Sequence, residues 1–534
     1  MHGVVEVEGG RVSGVERRGI WSFSGIPYAA SPAGTGRWRP PAPPEPWSGV
    51  RHCERFGPVA PQEPTMTQVF PGAPQEQSDE DCLSLNVWTP GLDNGSRPVL
   101  VWIHGGSFRS GSGSSGLYRG TDLAREGDVV VVTLNYRLGI LGYLAHPALG
   151  DPGQEWLNGG SWTGTGNWGL ADQVTALRWV HEHISGFGGD PGCVTLFGES
   201  AGSMSVSALL AVPEAAGLFH RAILQSGPPL TVSADAAAEV AERLASQLEV
   251  ACTRTGFEQV PAERLVSALA EYEQTAKSVD GLAMRPVVDG GLLGGPPVCG
   301  VASGSAASVP LLIGTNRDEW SLFTLGDSRF NSIDREGLLR RLTRVVGDQA
   351  AAVRIVGLVE AARSARGEAV TPADVWTAIA SDYVFRAPSV HLADAHHASA
   401  DLGVGTFAYL FTWESPIFGG ILGACHALEV PFVFGSVKYP IVQAFTGGGE
   451  EVAALSGAMR RAWLSFARSG VPSTDSVGEG RIDWPGWDVS RRPTMVLGHW
   501  PGHGGLLREV ECPRDEELEA VGAVLGPVPG HRTD

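Results

Sequence analysis

The 534-residue chain lacks the features expected of a nucleic-acid-binding or membrane-spanning protein. Lys and Arg number 39 against 58 Asp and Glu, a formal net charge of −19, and the only lysines are Lys277 and Lys438. A chain this acidic has no basic surface for nucleic acid or for an anionic membrane. It has no apolar run near the roughly 20 residues of a membrane helix, and its N-terminus lacks the apolar segment of a signal peptide.

Cysteine is sparse and scattered. The seven residues are odd in number and contain no C-x-x-C pair: Cys53, Cys82, Cys193, Cys252, Cys299, Cys425 and Cys512. This usage favours a reduced, cytoplasmic protein over a disulfide scaffold or a structural zinc site. The adjacent His396 and His397 suggest a metal pair, but Asp394 is the only further ligand type close by, so we expect no metal.

Strand-like and helix-like segments alternate along the chain. Short Val-rich runs at Pro98–Gly106 and Asp128–Gly139 are typical of buried parallel strands, and apolar spacing predicts a helix over Gly169–Ile184 with Asn167 as its cap. Further strands are predicted within 193–197, 220–227, 307–320, 405–413 and, as the last strand, 493–498, and further helices within 236–248, 262–276, 335–346 and 451–470. The pattern predicts an α/β fold with a largely parallel sheet.

Nothing in the pattern divides the chain into separate domains. We find no internal repeat and no long linker, and hydrophobic residues make up 43% of the chain. We therefore expect one domain over residues 1–534, with about ten disordered residues at its C-terminus. The segments 151–168 and 363–383 are too irregular to assign.

Ser200 lies in the motif Gly198-Glu-Ser-Ala-Gly202. In a chain with 72 Gly, a G-x-S-x-G match carries weight only in context. Here an apolar strand precedes the serine and an apolar helix follows it, which is the setting of a nucleophile elbow. A serine is a poor nucleophile alone, so it needs a base, a carboxylate to orient that base, and N–H donors for the oxyanion.

Candidates for these roles flank the serine in the order that α/β-hydrolases use, which is serine, then acid, then histidine. The glycine-rich Ile103–Phe108 follows a strand and can supply backbone donors. Glu319 follows the strand that ends near Ile313, with Asp318 and Asp327 as rivals for the acid.

The base is chosen from 14 histidines. His181 and His183 fall on the predicted helix, and His396 and His397 are typical of a solvated helix end. His426 instead lies in a loop before an apolar segment, late in the chain, and it is our candidate for the base.

The chain resembles the type-B carboxylesterase family, which includes cholinesterases and bacterial para-nitrobenzyl esterases. The resemblance rests on segments in a shared order: SDEDCLSLNVWTP, WIHGGSF, NYRLGILGYL, GDPGCVTLFGESAGSMSV, LFHRAILQSG, LLIGTNRDEW and HALEVPFVFG. It implies an α/β-hydrolase fold, with a central, mostly parallel sheet flanked by helices and large helical insertions over the active site.

The same resemblance assigns the site residues. It implies Ser200 as the nucleophile, Glu319 as the acid and His426 as the base. It places oxyanion donors on Gly106, Ser107 and Ala201, with Gly105 in the loop beside them. Apart from the resemblance, we predict supporting roles for Glu199 and Ser226. Glu199, beside the nucleophile, could steer water or cationic groups, or it could be a buried, hydrogen-bonded carboxylate.

The resemblance also implies structural ion pairs and shows departures. The implied pairs are Arg37–Glu80 and Arg137–Asp172. Secreted relatives carry a disulfide ending at the position of Cys82, but its partner position falls near Ala60, and we do not expect Cys53 to replace it. No Trp stands at Phe70-Pro71-Gly72, where cholinesterases bind quaternary ammonium groups, so a choline ester is disfavoured. Ser107 stands where Gly or Ala is usual.

The predicted function is therefore a serine carboxylic-ester hydrolase that forms an acyl-enzyme on small-molecule esters and needs no cofactor. An amide, carbamate, thioester or natural-product ester remains an alternative substrate. A non-catalytic binding member of the family is disfavoured, because all three catalytic residues are present. We expect no nucleic-acid or membrane partner, and a monomer or weak homo-oligomer.

Overall fold

The computed structural model describes residues 2–63, 78–150, 153–156, 160–162, 164–275, 282–325, 330, 332–476, 480–502 and 504–525. By its internal contacts the chain divides into two compact units. The first comprises Met1–Ile223 and Pro229–Val309, and the second Leu224–Pro228 and Pro310–Asp534. The predicted disorder of the last ten or so residues falls almost wholly outside the described residues.

The first unit holds the strands numbered β1 to β10. Their bounds are His2–Val7 (β1), Gly10–Arg17 (β2), Ile20–Pro27 (β3), Val50–His52 (β4), Ser84–Thr89 (β5), Arg97–Ile103 (β6), Val130–Leu134 (β7), Gln154–Trp156 (β8), Gly160–Trp162 (β9) and Gly189–Glu199 (β10). Within this unit the sheet runs β1-β2-β3-β5-β7-β6-β10, and β4 pairs with β2. The pairs β1-β2, β2-β3, β3-β5 and β5-β7 are antiparallel. β4 lies parallel to β2, and β6 lies parallel to both β7 and β10.

The parallel strands are buried on both faces because their sequences are continuous apolar runs. Every residue of β7, VVVTL, is buried, and so is the second half of β6. Two-sided burial of this kind is typical of parallel strands covered by helices. The α-helices of the first unit are Thr121–Gly127, Gly139–Tyr143, Trp168–His183, Ala201–Leu209, Ala234–Gln247, Arg254–Glu258, Ala262–Thr275 and Pro297–Ala302.

Strand β11, Arg221–Gln225, crosses the division between the units, and the short pair β12 (Val232–Ser233) and β13 (Val287–Val288) lies in the first. In the second unit the strands are β14 (Leu311–Asn316), β15 (Thr406–Phe411), β16 (Ser473–Ser476), β17 (Gly480–Asp483), β18 (Pro493–Leu497) and β19 (Leu507–Glu511). β14, β15 and β18 pair parallel, and β19 pairs antiparallel with β18.

The α-helices of the second unit are Arg335–Val346, Gln349–Ala365, Pro372–Ser381, Ala387–Ser399, Val430–Phe434, Pro440–Thr446, Glu450–Ser469 and Asp515–Leu525. A 3-10 turn, Glu319–Thr324, follows β14 almost directly. A π-helical turn, Asp382–Arg386, joins two of the helices. No helix among the described residues is long and apolar enough to cross a membrane.

Three sequence expectations about local structure are wrong. Strand 493–498 is not the last, because β19 follows it. The segment 363–383 is largely helical rather than irregular. Asn167 stands at the start of its helix but does not cap it; its fully buried side chain instead bonds both the N–H and the carbonyl of Val287.

Candidate active site

Ser200 occupies the turn between strand β10 and helix Ala201–Leu209. Its backbone has φ 55° and ψ −125°, a conformation that a residue with a side chain rarely adopts. The serine is 9% exposed, and its carbonyl accepts the N–H of Met204 as the helix begins. Strained backbone of this kind concentrates at functional sites, and it agrees with the elbow that the motif predicts.

The two glycines of the motif are required by close packing. A Cβ on Gly202 would collide with the carbonyl oxygen of Ile103, the last residue of β6. A Cβ on Gly198 would lie 2.6 Å from the carbonyl carbon of Gly202. The sharp turn therefore exists because the helix start, β10 and β6 approach one another without side chains between them.

The predicted oxyanion loop lies against the serine. A Cβ on Gly105 would stand 2.9 Å from Cβ of Ser200, so only glycine allows this approach. Gly106 (φ 120°) and Ser107 (φ 57°) continue the loop in left-handed conformations. Among the residues that the structure describes, no acceptor is bonded to the amides of these two residues. The amide of Ala201 is one of the first N–H groups of a helix, which have no intrahelical partner.

Glu199 is buried beside the serine and the same loop. It is 4% exposed, and its Oε2 would lie 2.7 Å from a Cβ on Gly105. Nearby, the hydroxyl of Tyr136 donates to the carbonyl of His104 at 2.8 Å, and the two rings stack at 4.5 Å. Burial raises the pKa of Tyr136, and the charge of Glu199 contributes to the shift. The first unit thus assembles Ser200, its loop and a buried carboxylate.

The second unit joins the predicted acid to the predicted base. Nδ1 of His426 lies 2.6 Å from Oε2 of Glu319, and the two side chains are 6% and 0% exposed. The backbone N–H of Asn316 donates to the other carboxylate oxygen at 2.7 Å. Since a carboxylate only accepts hydrogen bonds, Nδ1 carries the imidazole proton. Glu319 therefore sets both the orientation and the tautomer of His426.

The rival acids do not take this place. Asp318 bonds the N–H of Ala424 and the guanidinium of Arg317, and Asp327 lies outside the described residues. The expectation that His396 lies at a solvated helix end is wrong, because His396 is fully buried and bonds the hydroxyl of Thr406.

Two aromatic rings that the sequence did not indicate lie beside His426. The ring of Phe323 is 5.1 Å from the imidazole and that of Phe385 is 4.9 Å from it. Phe323 lies four residues after Glu319 in the same 3-10 turn. Phe385 lies on the π-helical turn, whose position no sequence pattern indicates.

A second buried carboxyl, Glu429, lies near the acid–base pair. The side-chain amides of Asn316 and Gln225 donate to its two oxygens at 2.7 and 3.1 Å, and the indole of Trp463 orients Gln225. Burial raises the pKa of Glu429, and the charge of Glu319 raises it further. Glu429 follows His426 by three residues, a spacing that could have drawn attention to it.

Ser226 belongs to the second unit. Its N–H donates to the carbonyl of Gly314 at 2.8 Å, and its backbone φ is 51°. Its hydroxyl is buried, with no hydrogen-bond partner among the described residues. The supporting role of Ser226 stays a prediction.

Both ion pairs implied by the resemblance are present. The guanidinium of Arg37 contacts both carboxylate oxygens of Glu80, and Arg137 contacts both of Asp172. None of the seven cysteines forms a disulfide, and Cys53 and Cys82, which we did not expect to pair, are both buried thiols. The position expected for an ammonium-binding Trp, residues 70–72, lies outside the described residues.

Comparison with known proteins places the chain in a family. The model of the carboxylesterase family matches residues 2–501. The chain belongs to the carboxylesterase family. The relatives named below carry esterase or hydrolase names.

The para-nitrobenzyl esterase of Bacillus subtilis (strain 168) is 37% identical over 503 residues, spanning 93% of this chain and 95% of the relative. The phenmedipham hydrolase of Pseudarthrobacter oxydans is 34% identical over 514 residues, spanning 93% and 95%. The solved structure of the Geobacillus stearothermophilus carboxylesterase EST55 matches with a TM-score of 0.81 at 38% identity, covering 97% of this chain and 99% of that one. The predicted α/β-hydrolase class is confirmed by this structural neighbour.

The structure thus brings the predicted residues together in two groups. Ser200, Gly105 and Glu199 adjoin one another in the first unit. Glu319 and His426 are hydrogen-bonded in the second.

Proposed function

We propose that this carboxylesterase is a serine hydrolase that cleaves small-molecule carboxylic esters through an acyl-enzyme, with Ser200, His426 and Glu319 as its catalytic triad. The observation that carries the proposal is the 2.6 Å bond between His426 Nδ1 and Glu319 Oε2. It leaves Nε2 of the same ring as the basic nitrogen, which is what a serine nucleophile requires.

In the proposed reaction, His426 Nε2 accepts the proton of the Ser200 hydroxyl as the oxygen attacks the ester carbonyl. The tetrahedral oxyanion is stabilised by the amides of Gly106, Ser107 and Ala201, at a few kcal/mol for each donor. The imidazolium then gives its proton to the departing alcohol, and an acyl group remains on Ser200. Water attacks this acyl-enzyme with His426 again as the base, and carboxylic acid leaves.

Several observations support this assignment. Ser200 has the strained backbone of an elbow, and the loop amides beside it lack acceptors among the described residues. Glu319 is held at both oxygens, so it stabilises the charged imidazole without having to reorganise. The relative named para-nitrobenzyl esterase supports small esters as the substrate class. The proposal also includes a cytoplasmic location and a monomeric or weakly homo-oligomeric state.

The test combines labelling with turnover. A fluorophosphonate should label the wild type on Ser200, located by peptide mass spectrometry, and the Ser200→Ala variant should stay unlabelled. Ser207→Ala is a matched control, because Ser207 is a buried serine of the helix that follows Ser200, and its hydroxyl donates to the carbonyl of Met204. A panel of para-nitrophenyl esters of increasing acyl length, with amide, carbamate and thioester analogues, then ranks the substrate classes.

Hydrolysis of the esters by wild type and Ser207→Ala, and its loss in Ser200→Ala, is the expected result. Turnover of an amide, carbamate or thioester in preference to every ester would show that the enzyme acts on that class of substrate instead. Absence of both labelling and turnover in a folded wild type would refute the enzymatic role and favour a binding member of the family.

A further inference from the structure

The segment Leu422–His426, here named the histidine loop, carries the proposed base. It contacts the segment Asn316–Ser321, here named the acid loop, through several hydrogen bonds besides the one between His426 and Glu319. The side-chain amide of Asn316 donates to the carbonyl of Cys425 at 2.7 Å, and the hydroxyl of Ser321 donates to the carbonyl of Leu422 at 2.5 Å. The position of His426 thus depends on how these two loops are joined.

Asp318 makes the most extensive of these connections. Its backbone N–H donates to the carbonyl of Ala424 at 2.9 Å, and its Oδ2 accepts the N–H of Ala424 at 2.9 Å. These two hydrogen bonds fix both the N–H and the carbonyl of Ala424, which lies two residues before His426. Gly423 permits this approach, since its φ is +54° and a Cβ there would collide with Oδ2 of Asp318.

Positive charge holds the Asp318 carboxylate in this place. Nε and Nη2 of Arg317 donate to Oδ2 at 2.9 and 2.7 Å, and Nη2 also donates to Glu414 at 2.6 Å. The guanidinium of Arg514 lies near Asp318 as well, and it donates to the carbonyl of Arg317. Burial alone would raise the pKa of Asp318, but Arg317 outweighs it, with Arg514 adding, and the pKa lies below its ordinary value.

We propose that Asp318 is a positioning residue that holds the histidine loop at Ala424, and thereby sets His426 at the distance and angle that proton transfer from Ser200 needs. This inference rests on the proposed function. Asp318 does not act as the acid, because His426 Nδ1 is already bonded to Glu319. The two neighbouring carboxylates have different roles. Glu319 orients the imidazole ring of His426, and Asp318 fixes the backbone of the histidine loop.

The test compares Asp318→Ala, which removes the acceptor and the charge, with Asp318→Asn, which keeps an oxygen for Ala424 but loses the charge. The matched control is Asp394→Ala, another aspartate of the second unit paired with an arginine, Arg492. The exposed fractions are similar, with Asp318 at 18% and Asp394 at 23%. Thermal melts establish that each variant is folded before kinetics are measured.

We expect Asp318→Ala to lower kcat on a para-nitrophenyl ester by about 10²-fold, since a misplacement near 1 Å can cost that much. KM should change by less than about twofold, because the change lies in proton transfer rather than in substrate binding. Asp318→Asn should lose about tenfold, and Asp394→Ala should stay within about twofold of the wild type. A kcat for Asp318→Ala within threefold of wild type, or an equal loss in the control, would overturn the proposal. If Asp318→Ala does not fold, a kcat for Asp318→Asn within threefold of wild type would overturn the proposal.

A second readout does not depend on ester hydrolysis. Hydrogen exchange at the Ala424 amide, followed by mass spectrometry on a peptide of the histidine loop, should be at least tenfold faster in Asp318→Ala than in wild type or Asp394→Ala. Unchanged exchange would overturn the proposal whatever the activity. Wild type without ester turnover, but with faster exchange in the variant, would instead refute the proposed function and leave the loop contact established.

Discussion

Replacing Glu319 by Gln tests the acid–base pair most sharply, because the surroundings dictate how the new amide must lie. The carboxylate accepts the Asn316 N–H at 2.7 Å on Oε1 and the His426 Nδ1 proton at 2.6 Å on Oε2. A backbone N–H can only donate, so the glutamine oxygen takes the Asn316 side. Its NH₂ group then faces Nδ1. The opposite orientation would point two donors at each other inside a fully buried site, at a cost of about 1–3 kcal/mol.

The consequence is the wrong tautomer of His426. Facing an NH₂ donor, Nδ1 must become the acceptor, and the proton moves to Nε2. That nitrogen can then no longer accept the proton of Ser200. The same replacement of a triad acid in another serine hydrolase costs about 10⁴ in kcat. We expect a loss of that order, which corresponds to a barrier higher by about 5 kcal/mol.

The assay is single-turnover acylation with a para-nitrophenyl ester, read as release of nitrophenolate. The matched control is Glu368→Gln, which changes another carboxylate of the second unit, one that pairs with Arg366. The control should acylate within about twofold of wild type. A Glu319→Gln variant that acylates within tenfold of wild type, while folded by circular dichroism, would refute both the tautomer argument and the triad assignment.

Two further predictions concern stability. Asp172→Ala leaves the buried guanidinium of Arg137 unpaired and should lower the free energy of unfolding by about 3–5 kcal/mol in denaturant titrations; a loss below about 1 kcal/mol would contradict the structural role of the pair. Because burial and the charge of Glu319 raise the pKa of Glu429, its contribution to stability is complete below the ordinary glutamate pKa and is lost as the pH rises toward the raised value. The melting temperature of the wild type minus that of Glu429→Gln should therefore fall from pH 4 to pH 8, and a value that stays constant or rises would show that the pKa of Glu429 is not raised.

The fold was predictable where strands are buried on both faces or where helices are amphipathic. The helix Arg335–Val346 has the bounds that its apolar spacing predicts. Helix Gln349–Ala365 was not assigned, because the small and apolar residues of QAAAVRIVGLVEAARSA occur all round it and give no clear stripe. The N-terminal strands β1 and β2 were missed as well, although Val5 and Val7 are buried while Val4 and Glu6 are exposed. That alternation, with the two-residue turn at Glu8–Gly9, is the signal that could have revealed them.

The candidate site was predictable where chain order and backbone geometry define it. Ser200 and its glycines follow from the strand–turn–helix context. The residues around the acid–base pair were harder, because their roles depend on side-chain direction. Asn316, Glu429 and Gln225 meet through hydrogen bonds between segments distant in sequence, and Phe385 reaches His426 from a π-helical turn. No periodicity encodes such contacts.

The three carboxyls near His426 show why sequence position alone could not separate the acid from its rival. Asp318 and Glu319 are adjacent after one strand, and either could have reached the imidazole. In the structure, two arginines and the Ala424 amide hold the first in the ionised form, while the second accepts from Asn316 and His426. Glu429 is buried among neutral amides, where the charge of Glu319 disfavours a second negative charge. Environments that differ this much assign different tasks to chemically similar groups. Glu319 is the carboxylate bonded to His426, and it stabilises the imidazolium in the proposed reaction. A further negative charge on Glu429 would raise the basicity of the ring and hinder return of the proton to the leaving alcohol.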